Sequence, residues 1–411
     1  MSIDQAHTSP KWRRSTFGRF ARVFNGSDYT AVEVDSGGYP VYGSGGEFRR
    51  ASDYLFEGES VLFGRKGTID RPLYVNGRFW TVDTMFYTDI DTRALLPRYA
   101  YYWATTLPYG EWATDTALPS MTSTAIKAAP IVVPPMVEQR AIADFLDRET
   151  AQIDAFIAKN EELIALLTER RTATITRCVT SGLSGSEGLQ EGHWTASVPD
   201  HWQVMPLRYA IRRIDQGVSP QAEAGLAVDA GQVGVLKSGC VNGGVFQPSE
   251  HKVLPSDFVF DPAIQIDVGD LLVNRASGSV SLLGSAAMVT ENPYQLILSD
   301  KTFRIWPSGR TSRHYLYWLL NSRLYREQVE ASVSGAEGLA NNLPMSRLRS
   351  FRLPFPPRAE QRKLIVFLER ETSAISQAIL TASRGIDLAR ERRAALISAA
   401  VTGKIDVGVS A

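Results

Sequence analysis

Two kinds of apolar pattern alternate along the chain. In residues 136–180 and 358–402, apolar residues recur at three- and four-residue steps, which is the spacing of one helix face. In residues 10–133 and 199–355, short runs of aromatic and β-branched residues are separated by Gly-rich turns, a pattern typical of short strands. The sequence therefore predicts two strand-rich blocks, each followed by one long helix.

The apolar stripe of the first predicted helix is long and regular. It comprises Ile142, Leu146, Ile153, Phe156, Leu163 and Leu167. Each helix has a Pro-Pro pair before it and Gly182 or Gly403 after it, as helix ends favour. At 1.5 Å per residue, each would be roughly 65–70 Å long, which exceeds what one small domain can cover. We therefore expect the two helices to pack on each other as an antiparallel coiled coil, with some surface left for a partner.

The two helical segments are copies of one sequence. Glu138-Gln139-Arg140 recurs as Glu360-Gln361-Arg362, a shift of 360 − 138 = 222, and the same shift relates Val179-Thr180 to Val401-Thr402 without a gap. The alternative is two unrelated amphipathic helices lying on local cores. Because the identities include polar positions that a core stripe does not need, they indicate duplication.

The blocks before the helices agree more loosely. Three features match: a strand ending in Arg65 or Arg275, an aromatic helix around Trp103 or Trp318, and a turn at Leu118-Pro119 or Leu343-Pro344. Closer, ungapped agreement in the helices beside divergence in the blocks implies one shared mechanical task and two different recognition tasks.

Composition narrows the class of protein. The chain has 411 residues, 44% hydrophobic and 21% charged, with 44 basic and 44 acidic residues, so we expect several soluble domains without a uniformly basic surface. Two cysteines, Cys178 and Cys240, exclude a disulfide framework and suggest a reducing compartment. The start lacks the apolar core of a signal peptide, and no apolar run reaches the roughly 18 residues of a membrane span. We therefore expect a cytoplasmic protein without membrane association.

Together, these features resemble the specificity subunit of type I restriction–modification enzymes. The resemblance lies in the order of variable block and PPxxEQR helix, repeated once, and in the strings YPVYGSGG, GESVLFGRKGT, WTVDT and PDHWQV. It implies an α+β chain in which two globular target-recognition domains are joined by the paired helices with a pseudo-twofold internal repeat. The expected segments are recognition domain 1 (1–133), spacer helix 1 (134–182), a linker (183–198), recognition domain 2 (199–355), spacer helix 2 (356–405) and a tail (406–411).

The resemblance also implies what the chain binds. In that family each recognition domain reads one half of an asymmetric, bipartite double-stranded DNA site, while the helices dock two methyltransferase subunits, joined in the full complex by restriction–translocase subunits. Plausible docking residues are Glu138, Gln139, Arg140, Glu360, Gln361 and Arg362, which we expect to be exposed.

DNA contacts are expected from loops and turns of the two blocks, where Arg and Lys can reach base edges or phosphates. The candidates are Arg49, Arg50, Arg65, Lys66 and Arg71 in the first block, and Lys237, Arg275, Ser277, Ser279 and Lys301 in the second. Arg65, Lys66 and Arg275 are preferred, since they follow a predicted strand and lie beside small residues.

Motifs for chemistry are missing. The string Glu291-Asn292-Pro293-Tyr294 is one proline short of an adenine methyltransferase loop, YGSGGE from Tyr42 is neither GxGxxG nor a P-loop, and the five histidines show no metal-ligand spacing. We therefore expect no catalytic residue, no metal and no cofactor on this chain, with S-adenosylmethionine, ATP and magnesium on the partner subunits.

Three alternatives remain open. The chain could be the recognition subunit of a methyltransferase–nuclease system that cuts on both sides of its site. It could instead be a coiled-coil scaffold with strand-rich blocks that bind protein or glycan, or an enzyme with an unrecognised active site. A steep loss of DNA affinity with rising salt is expected only of a DNA-recognition protein.

Overall fold

The computed structural model describes residues 12–112, 119–183, 189–191, 197–229, 231–333 and 341–407. Most of the predicted linker and the last residues of the predicted tail lie outside these ranges. The chain divides into a first unit, Met1–Glu162 with Ala382–Ala411, and a second unit, Leu163–Thr381. The boundaries between the units fall inside the two long helices, so each unit contains a strand-rich block and parts of both helices.

The first unit is built on one mixed sheet. Its described strands are β1 (Arg13–Thr16), β2 (Ala21–Asn25), β3 (Glu33–Val34), β4 (Tyr39–Gly43), β5 (Gly46–Ala51), β6 (Phe56–Gly64), β7 (Leu73–Thr81), β8 (Met85–Ile90) and β9 (Pro130–Val133). Its short helices are α1 (Pro97–Ala104), α2 (Tyr109–Trp112) and α3 (Ser123–Ala128). Seven strands form a sheet in the order β2-β8-β6-β7-β4-β5-β3, while β1 pairs antiparallel with β9.

Strand β6 is central to this unit because both its faces are buried. Val61 and Phe63 pack with the aromatic residues of α1, whereas Leu62 packs with Phe79 and Met85 on the opposite face. Alternate residues of a strand point to opposite faces, so a strand covered on both sides reads as an uninterrupted apolar run. The loop that follows β6 is consequently held on a rigid support.

The second unit continues the numbering after the first long helix, α4 (Met136–Ser181). Its strands are β10 (Leu189–Glu191), β11 (Ser197–Pro199), β12 (Gln203–Pro206), β13 (Ile211–Gln216), β14 (Val233–Leu236), β15 (Val241–Asn242), β16 (Val245–Phe246), β17 (His251–Val253), β18 (Leu271–Asn274), β19 (Ala286–Met288), β20 (Gln295–Ile297), β21 (Thr302–Pro307) and β22 (Arg352–Phe355). Its helices are α5 (Arg313–Leu319), α6 (Arg323–Val333), α7 (Met345–Ser350) and the start of α8 (Arg358–Val401).

The second unit has a six-stranded sheet in the order β13-β21-β18-β19-β16-β15 and a three-stranded sheet, β17-β14-β20. Its central strand β18 is buried like β6. Leu271 and Val273 lie in the core with Tyr315 and the other apolar residues of α5, and Leu272 lies in a separate cluster on the other face. Both units therefore present the end of a doubly buried strand.

The long helices agree closely with the predicted bounds. Helix α4 has 46 residues and α8 has 44. Gly182 and Gly403 follow them with φ of +72° each, the left-handed conformation in which helices commonly end. Within the first unit, Arg393 pairs with Asp154 and Arg390 with Glu161. Residue numbers rise on one helix as they fall on the other, so these contacts run antiparallel.

The ends of the long helices complete the cores of the units. Ile397, Ala400 and Val401 of α8 are buried in the first unit, and Ile175, Cys178 and Val179 of α4 are buried in the second. The two triplets are related by the same shift as the repeat, 397 − 175 = 222. Duplicated apolar positions therefore serve the same purpose in both helices.

The predicted apolar stripe of α4 is only partly covered. Ile142, Leu146 and Ile153 are buried, whereas Phe156 is 49% exposed and Leu163 is 44% exposed. Beside Phe156 in the first unit lie Gly385 and Leu388 of α8, and Leu388 is 65% exposed. Apolar surface thus remains open in the middle of the helices.

Candidate nucleic-acid interface

The glutamine of each EQR sequence is buried, which corrects the expectation that all six EQR residues are exposed. Gln139 is 1% exposed. Its Oε1 accepts a hydrogen bond from the backbone nitrogen of Leu96 at 2.7 Å, and its Nε2 donates to the carbonyls of Ala94 and Pro134 at 3.1 and 2.9 Å. Because every contact is internal, this side chain has no surface to offer a partner.

Gln361 makes the same contacts in the second unit. It is also 1% exposed, accepts from the backbone nitrogen of Ser312 at 2.8 Å, and donates to the carbonyls of Arg310 and Pro356. A buried amide whose donors and acceptor are satisfied by backbone groups fixes the segments that carry those groups. The glutamines therefore hold each long helix to the start of the aromatic helix in its own unit.

The neighbouring glutamates are used internally as well. Trp12 Nε1 donates to Glu138 Oε2 at 2.7 Å in the first unit, and Trp202 Nε1 donates to Glu360 Oε2 at 2.8 Å in the second. His201 also contacts Glu360. The arginines, Arg140 and Arg362, are exposed as expected. Of the six candidates, these two alone combine exposure with the absence of a hydrogen bond or ion pair among the described residues.

In the first unit, the loop after β6 begins with a held arginine. The backbone nitrogen of Arg65 donates to the carbonyl of Thr84 at 2.8 Å, and its Nη1 lies 3.3 Å from the carbonyl of Asp83. The guanidinium carbon lies 5.9 Å from the centre of the Phe86 ring. The turn before β8 therefore fixes both the backbone and the side chain of Arg65.

A second segment closes this loop from the other side. Residues 119–121 contact residues 65–67 through backbone groups: Met121 N donates to Arg65 O at 2.9 Å, Gly67 N donates to Pro119 O at 3.0 Å, and Lys66 and Ser120 form an isolated β-bridge. Lys66 is exposed between these contacts, as is Arg71 further along the loop.

The loop after β18 in the second unit repeats the arginine contacts. The backbone nitrogen of Arg275 donates to the carbonyl of Lys301 at 2.8 Å, and its Nη1 donates to the carbonyl of Asp300 at 3.2 Å. The guanidinium carbon lies 5.4 Å from the centre of the Phe303 ring. Arg65 and Arg275 thus occupy equivalent positions, as the loose sequence match suggested.

The closing segment recurs too, with one further contact. Residues 341–343 contact residues 275–277: Leu343 N donates to Arg275 O at 2.7 Å, Ser277 N donates to Asn341 O at 3.1 Å, and Ala276 and Asn342 form an isolated β-bridge. In addition, Arg275 Nε donates to Asn342 Oδ1 at 3.1 Å. These residues and their first-unit counterparts are named the loop frames: 65–67 with 119–121, and 275–277 with 341–343.

The loop frames correct one sequence match. Pairing Leu118-Pro119 with Leu343-Pro344 is wrong, because Met121 occupies the position of Leu343 and Ser120 that of Asn342. The correct shift, 343 − 121 = 222, equals that of the helices. Leu118 lies outside the described residues, and the backbone contacts make Pro119 equivalent to Asn341. Extending the helical shift back through the closing segment would have identified Ser120 and Asn342, which the candidate list omits.

The other candidate residues are placed less uniformly. In the second unit, Ser277 and Ser279 lie in the loop after β18, where the Ser277 hydroxyl accepts from the backbone nitrogen of Ser279. Lys301 is also next to this loop, although its amine pairs with Asp300 at 2.6 Å. Lys237 lies 3.7 Å from Glu250. The second-unit candidates near β18 are therefore brought together, with part of their charge neutralised.

Arg49 and Arg50 lie apart from the first loop frame, on β5. Arg49 pairs with Glu33 at 3.0 Å and Arg50 with Glu47 at 3.1 Å. Exposed pairs of this kind contribute little stability and leave little net charge. The structure therefore gives Lys66 and Arg71 more free positive charge than these two arginines.

A buried ionic cluster lies in the sheet of the second unit. Arg304 is 4% exposed and contacts Asp215 at 2.8 Å and Asp270 at 3.0 Å. Burial opposes ionisation of Asp215, but hydrogen bonds from Trp306 and Arg304 outweigh it and hold the pKa of this carboxyl below its usual value. Arg304 also donates to the carbonyl of Gln265, so the cluster ties the segment before β18 to β21.

Two features are absent from the part of the chain that the structure describes. No helix there is both long enough and apolar enough to cross a lipid bilayer. No group of three or more His, Cys, Asp or Glu side chains there is placed to hold a metal ion.

Comparisons with known proteins converge on one family. The model of the type I restriction modification DNA specificity domain matches residues 12–165. The chain is 30% identical over 173 residues to the type I restriction enzyme EcoEI specificity subunit of Escherichia coli, and 23% identical over 248 residues to the EcoKI specificity subunit of Escherichia coli strain K12. These alignments cover 42% and 58% of this chain but only 29% and 50% of the two relatives.

A solved structure shares the fold over nearly the whole chain. It comes from work on the structural basis of complex assembly and conformational transition of the type I R-M system. It aligns with a TM-score of 0.61 at 14% identity, and the alignment covers 98% of this chain and 100% of that one. This likeness concerns the fold.

Proposed function

We propose that the chain is the non-catalytic specificity subunit of a type I restriction–modification complex, because residues 12–165 match the model of the type I restriction modification DNA specificity domain. It binds an asymmetric, bipartite double-stranded DNA site, with one recognition domain for each half. The observation that carries this proposal is the family match over the first domain, and the recurrence of that domain's loop frame in the second unit supports it. The same frame with different exposed side chains suits recognition of two different base sequences, one in each half of the site, which are called the two words.

The long helices suit the spacing of such a site. With 46 residues, α4 is about 69 Å long at 1.5 Å per residue. DNA rises about 3.4 Å per base pair, so this length corresponds to about 20 base pairs. In this proposal the antiparallel helices act as a coiled-coil ruler related by a pseudo-twofold axis, and they set the gap between the two words.

The same helices offer a surface for the partner subunits. Phe156 and Leu388 leave apolar surface open in the first unit, and Glu149 and Arg392 border it. An apolar strip with a charged rim is the arrangement that helix-in-groove docking uses. Methyltransferase subunits would bind here, with the exposed Arg140 and Arg362 further along the helices. S-adenosylmethionine, ATP and magnesium would be bound by the partner subunits, and the assembly would act in the cytoplasm.

Methylation mapping tests the proposed function. The chain is coexpressed with the methyltransferase encoded beside its gene, and methylated adenines are mapped across the host genome. The expected result is one gapped, asymmetric motif that requires this chain. Methylation at a continuous palindrome, or no methylation that depends on the chain, would refute the proposal. A protein- or glycan-binding scaffold would also lack the steep salt dependence of DNA binding.

A further inference from the structure

The loop frames separate residues that hold the loop from residues that can read DNA. The arginine, the aspartate whose carbonyl it contacts and the aromatic ring beneath it are the same or similar in both frames: Arg65, Asp83 and Phe86 in the first, and Arg275, Asp300 and Phe303 in the second. At the bridge positions next to the arginines, the frames differ. Lys66 faces Ser120, whereas Ala276 faces Asn342.

Two domains that share a fold but recognise different base sequences need the same supporting residues and different base-contacting residues, here called readers. A side chain that contacts its own backbone in both domains belongs to the support. A side chain that is exposed, differs between domains and lies on that support is placed to read a base. By this criterion Arg65 and Arg275, which the sequence favours as base readers, are supports, and the exposed Asn342 is the reader in the second frame.

Asn342 has the chemistry required of a reader. It is exposed, and among the described residues its Nδ2 has no hydrogen-bond partner. Its Oδ1 accepts from Arg275 Nε at 3.1 Å, which orients the amide and leaves a second lone pair on the oxygen. An oriented amide that can both donate and accept is the group that pairs with the N7 and N6 of adenine in the major groove.

We propose that Asn342 reads a base pair, adenine by its chemistry, in the word recognised by the second domain, and that Arg275 is its positioning residue. This inference rests on the proposed function. Arg275 is anchored by the carbonyl of Asp300 and by the Phe303 ring, and it presents Nε to the amide. In the first frame the equivalent position is Ser120, whose shorter side chain cannot form that bidentate pair. The difference gives the two domains different words without a change in the frame.

The test measures base preference, which a purely structural residue would not alter selectively. The complex of the full chain with its methyltransferase is titrated against the duplex carrying its mapped motif, and against duplexes with one base pair of that motif changed. For Asn342→Ser, which introduces the first-domain residue, discrimination should fall by about tenfold or more at one base pair of one word. Asn342→Asp, which keeps the acceptor for Arg275 but removes the amide donors, should affect the same base pair.

Arg275→Lys tests the positioning role, with Arg65→Lys as its matched control in the first frame. Arg275→Lys should lower discrimination at the same base pair as Asn342→Ser does. In the double variant it should add little to the loss caused by Asn342→Ser alone. Arg65→Lys should leave that word unchanged. Unchanged discrimination with both Asn342 variants, or an equal loss of affinity for every duplex, would overturn the reader assignment. A new preference at another base pair with Arg275→Lys would overturn the positioning assignment. If the unmodified complex itself favours no gapped motif, the proposed function fails instead.

Discussion

The buried glutamine at the start of α4 provides the sharpest test of the structure. We consider Gln139→Leu, which preserves much of the side-chain volume but removes all three hydrogen bonds to Leu96, Ala94 and Pro134. A buried hydrogen bond contributes about 1 kcal/mol net, and partners left unsatisfied cost as much or more. The expected loss is therefore about 3 kcal/mol in the free energy of unfolding.

The assay is guanidinium unfolding of the full chain followed by tryptophan fluorescence. With a denaturant slope of about 4 kcal/mol per molar for a unit of this size, the loss corresponds to a midpoint about 0.7 M lower. Gln361→Leu, which removes the same set of contacts in the second unit, should cause a comparable loss. Arg140→Ala is the control, since an exposed substitution should change stability by no more than about 0.5 kcal/mol.

One result would refute the reasoning. If Gln139→Leu lowered the midpoint by less than about 0.2 M but abolished methyltransferase binding, the glutamine would be a docking residue and not an internal anchor. A stability loss with Gln139→Leu and a binding loss with Arg140→Ala would support the division of roles described above.

Three further predictions follow from individual contacts. Gly403→Ala should lower the free energy of unfolding by about 1–2 kcal/mol, which is more than Gly182→Ala should. Both glycines have φ of +72°, but an added Cβ would lie 3.0 Å from the Trp12 ring at position 403 and 3.4 Å from the Trp202 ring at position 182. Equal midpoints of the two variants in thermal unfolding would contradict this. Asp215→Asn should destabilise the chain most at neutral pH. Folding lowers the pKa of Asp215 below its unfolded value of about 3.9, so the ionised carboxyl stabilises the fold above that pH, and this contribution is lost as the pH falls through the folded-state pKa. A difference in stability from the wild type that failed to narrow on acidification would be the contrary result. Leu388→Arg, at a side chain 65% exposed, should leave unfolding unchanged and weaken methyltransferase binding in pull-down assays. Val259→Arg, at a side chain 91% exposed in the second unit, should change neither unfolding nor methyltransferase binding.

The helices were predictable because their signal is local. A period of three to four residues, Pro-Pro before the first turn and glycine after the last are properties of neighbouring positions, and they place both helix ends within a residue or so of those observed for α4 and α8. The repeat identified the equivalent arginines, Arg65 and Arg275, by the same kind of short-range match.

The roles of polar residues were less accessible. Glu138, Gln139 and Arg140 are consecutive and all polar, and a helical pattern alone predicts three solvated residues. Which of them is buried depends on the segment at residues 94–96, whose backbone groups face Gln139. From the sequence, the arginine of each loop likewise looks free to contact DNA. The sequence does not reveal the carbonyl and the ring that hold it, because both come from a different part of the chain.

The sequence by itself determined the duplicated helices, the division into two divergent blocks and the resemblance to type I specificity subunits, because periodicity and repetition are written in the order of residues. Only the tertiary structure decided that Gln139 and Gln361 are internal anchors, that Arg65 and Arg275 are braced, and that Ser120 corresponds to Asn342. The physical reason is that burial and hydrogen bonding depend on segments distant in the chain. A polar side chain has the same character in the sequence whether water or a buried carbonyl satisfies it.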